Sequence, residues 1–135
     1  MAVIGKPEDQ ERQAVVLVAA PVAVSEARAW LTGLAAEIVD DVRLPDLELA
    51  ISEIVTNAVR HGRPGGEIVL AATPKPHFLC VQVTDDGPGF APRPGALSSG
   101  EHGGFGLFLV ERLTRRWGMT REGLRTRVWF EFDYA

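Results

Sequence analysis

Two helical patterns follow one another in this chain with no strand between them. Residues 24–38, "VSEARAWLTGLAAEI", place Ala27, Trp30, Leu31, Leu34 and Ile38 at helical spacing, with Ser25 as a cap near the start. Residues 44–62, "LPDLELAISEIVTNAVRHG", repeat the pattern, with Pro45 suited to a first turn and Gly62 to a stop. Around the pair lie runs of strand type at 14–20, 67–73, 77–85 and 127–134, a short candidate strand at 118–122, and a third helical stretch at 105–117. The order is β-α-α-β-β-loop-α-β. Helices that cluster, instead of alternating singly with strands, argue against a doubly wound parallel sheet. They point to an α+β two-layer sandwich with the helices on one face.

The chain has 135 residues, enough for one domain with a single core. Residues 1–12 are polar and unpatterned and read as a loose tail, leaving 13–135 as the domain. No internal repeat is visible. No apolar run approaches the ~18 residues of a membrane span, and the start lacks the basic and apolar regions of a signal peptide, so the expected location is cytoplasmic with no membrane partner. A net charge of −4 argues against direct nucleic-acid binding, although six of the fourteen Lys and Arg residues fall between Arg112 and Arg127. That basic stretch reads as a solvated face, with an acidic partner surface as the alternative. The single cysteine, Cys80, excludes an internal disulfide, and its place in "HFLCVQV" reads as a buried strand position where the thiol is a small apolar group.

Three segments carry polar chemistry that a core does not require. Glu53 and Asn57, four apart, share one face of the second helix beside Ile51, Ile54, Val55 and Val59. In "DDGPG", Asp85 ends an apolar strand, and Gly87 and Gly89 open a Gly-, Pro- and Ser-rich stretch over 86–104, a length of loop that is usually functional. In "GGFGL", that stretch closes onto a helix whose first amides lack intrahelical partners, a setting in which backbone N–H groups meet phosphate. No G-x-x-x-x-G-K-[ST] occurs, and "GGFGLF" lacks the spacing and preceding strand of a dinucleotide fingerprint. Each segment alone is ordinary: a solvated polar pair, a turn, a helix start. Their order, with the long loop between the last two, is far more specific.

These segments resemble the boxes of the GHKL ATPases (gyrase, Hsp90, histidine kinase, MutL), with "ELAISEIVTNAVRHG" similar to the N-box, "VTDDGPGF" to the G1 box and "GGFGLFLVERL" to the G2 box. The likeness covers roughly residues 14–133 and is nearest to the stand-alone bacterial anti-sigma factor serine kinases. It implies the Bergerat fold, a mixed and mostly antiparallel sheet under helices on one face. It implies ATP and Mg²⁺: Asn57 as metal ligand, Glu53 as general base, Asp85 as acceptor for the adenine amine, and Gly87 and Gly89 allowing close approach of the base. Gly104, Gly106 and Leu107 fall on the phosphate side. His61 corresponds to a position near the nucleotide, and a His at a helix C-terminus is equally explained by the dipole. Thr126, in "GLRTRVW", is the candidate for a last adenine contact, a shift by one residue being the alternative, because this chain lacks the usual Gly-Lys-Thr-like turn. Arg93 and Arg112 are candidates for phosphate or plain surface, and Asp86 reads as a solvated loop carboxylate. The activity implied is phosphorylation of a serine on a small anti-sigma-antagonist protein, with a sigma factor as second partner and a homodimer as the assembly. The alternatives are an ATP-dependent switch without turnover and a detached histidine-kinase catalytic domain.

Overall fold

The structure, a computed structural model, describes residues 12–87 and 104–135, with the backbone alone for 104–106. The elements are β1 (Gln13–Val18), α1 (Val22–Ala35), α2 (Leu44–His61), β2 (Glu67–Pro74), β3 (Phe78–Asp85), α3 (Gly104–Leu113), β4 (Arg116–Glu122) and β5 (Arg125–Asp133). The five strands form one sheet in the order β1-β2-β3-β5-β4. All four pairings are antiparallel, so the mixed sheet expected from the resemblance is here wholly antiparallel among the described residues.

Strand alternation sets the core. Ile68, Leu70 and Ala72 of β2, Leu79, Val81 and Val83 of β3, and Val128, Phe130 and Phe132 of β5 bury against Ala27 and Leu31 of α1 and Leu47, Ile51, Ile54 and Val55 of α2. Each such Leu, Ile or Phe contributes about 1.5–3 kcal/mol on burial. Ala23, Ala27, Leu31 and Ala35 recur every fourth residue on the buried side of α1. Small side chains there let α1 lie close along α2, and the 18 residues of α2 run across the sheet's inner face. Pro45 sits in the first turn of α2 with Asp46, and Arg60 and His61 close its last turn, a charge arrangement that suits the helix dipole.

Two local expectations are corrected. Ser25 does not cap α1: the helix starts at Val22 after Pro21, and the Ser25 hydroxyl donates back to the Val22 carbonyl at 3.0 Å, as Ser does inside a helix. The third helix ends at Leu113, not Trp117. Thr114 turns its hydroxyl onto the Val110 carbonyl at 2.6 Å, and the Arg115 N–H leaves the helix for the Glu131 carbonyl. From Arg116 the chain pairs with β5, setting Trp117 opposite Phe130 against the core, so the ladder outweighs a helical continuation. The candidate strand at 118–122 therefore forms and begins two residues earlier. It returns through Gly123 and Leu124, with Gly123 at φ 65°, the positive φ that a two-residue hairpin loop requires.

Phe130 is fully buried on β5, between β3 and β4. Phe130→Ala is expected to lower unfolding stability by about 3–5 kcal/mol in urea titrations, since the rigid sheet beneath it cannot collapse into the cavity.

Candidate functional site

One row across the inner face departs from the apolar rule. Cross-strand pairing aligns Leu17, Ile68, Asp85, Thr126 and Arg121 from β1 to β4 at one end of the sheet. Leu17 and Ile68 belong to the core, whereas Asp85 is 4% exposed and Thr126 1% exposed. Thr126 is thus directly opposite Asp85 and on the same face. The Gly87 N–H donates to Asp85 Oδ1 at 2.7 Å, a local turn that fixes the carboxylate, and Thr126 Oγ1 donates to the Gly87 carbonyl at 2.9 Å. With one carboxylate oxygen so engaged, the other can take a second donor. Burial pushes the Asp85 carboxyl above the usual carboxylate range. The Gly87 N–H opposes that shift, Asp86 adds to it, and His61 and Arg121 oppose it electrostatically.

The α2 helix brings its polar residues to this end of the molecule. Asn57 is 3% exposed, and among the described residues its Nδ2 has no hydrogen-bond partner, a costly state for a buried amide. Half a turn of the amide presents its oxygen instead, the atom a hard divalent cation takes. Glu53 lies one turn earlier on the same face and is half-buried, open enough to meet a group arriving from solvent. His61 is the last residue of α2 and near enough to Asp85 to stabilise its charge.

Gly62 and Gly87 join helix to strand. Gly62 has an extended backbone, φ −80° and ψ 179°, so no left-handed conformation demands glycine there. The demand is for space: a Cβ on Gly62 would lie 2.4 Å from the Ala58 carbonyl oxygen, and one on Gly87 would lie 2.4 Å from the Gly62 Cα and 2.5 Å from the His61 carbonyl oxygen. The end of α2 therefore rests directly on the backbone that leaves β3.

Gly104 and Gly106 lie in the first turn of α3, where backbone amides lack intrahelical partners, and Leu107 is buried just behind them. Gly89, Arg93 and most of the loop at 86–104 lie outside the described residues, as does the expected tail up to residue 11. Arg112 stacks over Phe108 one turn earlier on α3, 5.6 Å from the ring centre. The basic stretch around it is largely ion-paired: Arg116 with Glu131 at 2.8 Å, Arg127 with Glu122 at 2.6 Å and Arg125 with Asp86 at 3.3 Å. Cys80 is half-buried on the sheet face away from the helices, opposite Glu131, and burial followed by that carboxylate raises its thiol pKa.

Asp86 is the residue the sequence reading missed. It is not a solvated loop carboxylate: its Oδ2 accepts the Glu67 N–H at 3.3 Å and pairs with Arg63 at 3.6 Å, while its Oδ1 pairs with Arg125. An open cleft of about 470 Å³ beside it is lined by Arg63, Asp86, Arg121 and Leu124. The doublet "DD" was the only hint in the sequence, since the partners come from three separate segments.

The family model of the histidine kinase-like ATPase domain matches residues 17–132. The chain belongs to this family. It is 35% identical over 112 residues to the serine-protein kinase RsbW of Listeria monocytogenes, a match covering 72% of this chain and 71% of that protein, and Listeria innocua RsbW matches to the same extent. A solved structure of the RsbU and RsbW domains of a Mycobacterium tuberculosis protein superposes with a TM-score of 0.68 at 26% identity over 91% of this chain. The chain spans 32% of that longer protein. The Acinetobacter baumannii histidine kinase AdeS shares the fold, with a TM-score of 0.57 at 15% identity over 90% of this chain and 68% of that one. The three glycine- and asparagine-bearing segments therefore sit on an ATPase-domain framework.

The raised pKa of Asp85 has a consequence for stability. A carboxyl whose folded pKa lies above its unfolded value favours folding most when protonated, and that contribution is lost as pH rises through the folded pKa. At pH 7 the buried charge is a net cost. Asp85→Asn, which keeps an acceptor for the Gly87 N–H, is expected to raise the unfolding temperature of the nucleotide-free domain at pH 7. The gain should shrink as pH falls toward about 4, and calorimetric scans across pH check it.

Proposed function

We propose that this chain is an ATP-binding regulatory serine/threonine kinase of the anti-sigma factor type. It would transfer the γ-phosphoryl group of ATP to a serine on a small anti-sigma-antagonist protein and also bind a sigma factor. The observation that carries the reading is the buried pair of Asp85 and Thr126 beside a helix whose Asn57 amide nitrogen has no partner among the described residues. A core has no use for these groups, whereas an adenine amine and a phosphate-bound cation would use them. Similarity to the Listeria serine-protein kinases supports the choice of serine chemistry. Among the described residues no helix is long and apolar enough to cross a membrane, which suits the proposed cytoplasmic setting, and the family resemblance favours a homodimer.

In this reading Asp85 accepts the exocyclic amine of adenine, with Gly87 and Thr126 holding that carboxylate and the base edge in place. Gly104 and Gly106 offer first-turn amides to the phosphates. Among the described residues no group of three or more His, Cys, Asp or Glu could hold a metal. The protein would bring the Asn57 oxygen to Mg²⁺, which in nucleotide sites retains water and leans on phosphate oxygens. When bound, the ion neutralises phosphate charge. Glu53 accepts the proton of the incoming serine hydroxyl as its oxygen bonds to the γ-phosphorus, and the bond from that phosphorus to the β,γ-bridging oxygen breaks to release ADP. Most of the acceleration comes from positioning, as in phosphoryl transfer generally.

Two measurements test this. Calorimetry should show Mg-ATP binding well above Mg-GTP, because the guanine carbonyl would face the Asp85 carboxylate with no proton to share; equal affinities would sink the adenine assignment. Glu53→Gln should bind Mg-ATP nearly as the parent does yet phosphorylate an antagonist protein roughly 10²–10⁴-fold more slowly. Asn57→Ala should lose both binding and transfer. Parental rates from Glu53→Gln would refute the base.

A further inference from the structure

Asp86 stands between Asp85 and Gly87, and its carboxylate gathers three other segments at one point. Arg63 follows the end of α2, Glu67 opens β2 and Arg125 opens β5, and all three contact it, at 3.6, 3.3 and 3.3 Å. The two anchored arginines are each next in sequence to a residue in contact with Gly87. Arg63 follows Gly62, which lies against Gly87, and Arg125 precedes Thr126, whose hydroxyl reaches the Gly87 carbonyl. The Asp86 side chain is 24% exposed, while its two arginine partners are 71% and 45% exposed. The carboxylate is thus the sheltered hub, and the guanidiniums reach it from the surface.

We propose that Asp86 is a positioning residue for nucleotide binding: its charge locks the end of α2 and the starts of β2 and β5 together, so that Asp85, Gly87 and Thr126 are in place before ATP arrives. This inference rests on the ATP reading above and adds to it a residue that touches no substrate. An isolated surface ion pair would do little, but two arginines and a backbone N–H on one carboxylate form a network that holds geometry. Preorganisation of this kind appears in affinity, because a site that must be assembled on binding loses the assembly cost.

The test is Asp86→Asn, which keeps the shape and the acceptor for the Glu67 N–H while removing the charge. At about 0.05 M salt the variant should bind Mg-ATP about 3–10-fold more weakly than the parent, the range expected for a small charge network. At about 1 M salt, where charges are screened beyond about 3 Å, parent and variant should converge to within about twofold. Asp86→Glu should recover part of the low-salt affinity. Arg125→Gln, which changes an exposed side chain, should reproduce the loss if Asp86→Asn does not fold. Affinity within about twofold of the parent at low salt would overturn the proposal, and so would a loss undiminished at high salt. A parent that binds no Mg-ATP would instead fail the nucleotide reading. Hydrogen exchange in the nucleotide-free protein then still decides this one: a faster Gly87 amide in Asp86→Asn supports the lock, and an unchanged rate overturns it.

Discussion

The site depends on the close approach of two backbones, the exit of α2 at Gly62 and the exit of β3 at Gly87. A Cβ on Gly87 would lie 2.4 Å from the Gly62 Cα and 2.5 Å from the His61 carbonyl oxygen, so the strand exit can meet the end of the helix only as glycine, while a Cβ on Gly62 would lie 2.4 Å from the Ala58 carbonyl oxygen of its own helix. The contact fixes where α2 ends relative to the sheet, and thereby where Asn57 and Glu53 stand relative to Asp85. Asn57 lies five residues before Gly62, about 7.5 Å along the helix axis. The polar face of the helix and the polar row of the sheet are therefore set by one steric constraint.

Around that contact the structure keeps buried polarity that a stability argument alone would remove. Burial raises the Asp85 carboxyl pKa, and among the described residues the Asn57 amide is left with an unmet donor. Both costs fall on residues that flank the same end of the sheet, while the core that packs on the rest of its inner face is apolar. Local cost at a site, carried by a well-packed remainder, is the expected pattern for a protein that binds a polar ligand. Beside Asp85, the Asp86 carboxylate meets Arg63, Arg125 and the Glu67 N–H, so three other chain segments touch the exit of β3 at one charge.

Much was legible in the chain itself. Apolar spacing located both long helices, short runs of strand type located the strands, and the clustering of helices pointed to the α+β sandwich, because such patterns are local properties that each segment carries alone. The polar residues of the three boxes stood out for the same reason, as side chains that a core segment does not need. Element ends were less legible. Trp117 fits a helix by composition and became strand because Phe130, thirteen residues on, offered a ladder partner and a core to bury against. Ser25 has the chemistry of a cap, yet the helix had already begun at Val22.

What the sequence determined alone was the inventory: which segments are helix or strand, and that Glu53, Asn57, Asp85, Gly87 and Thr126 are candidates for one chemistry. What only the tertiary structure decided was their coincidence. Antiparallel pairing of β3 with β5 sets Thr126 opposite Asp85 across forty residues of chain, and a one-residue slip would have turned it to the other face. Likewise Asp86 became a hub because α2, β2 and β5 converge on its carboxylate, and no local pattern encodes which distant arginines will arrive there. Register and convergence are set by the packing of the whole core.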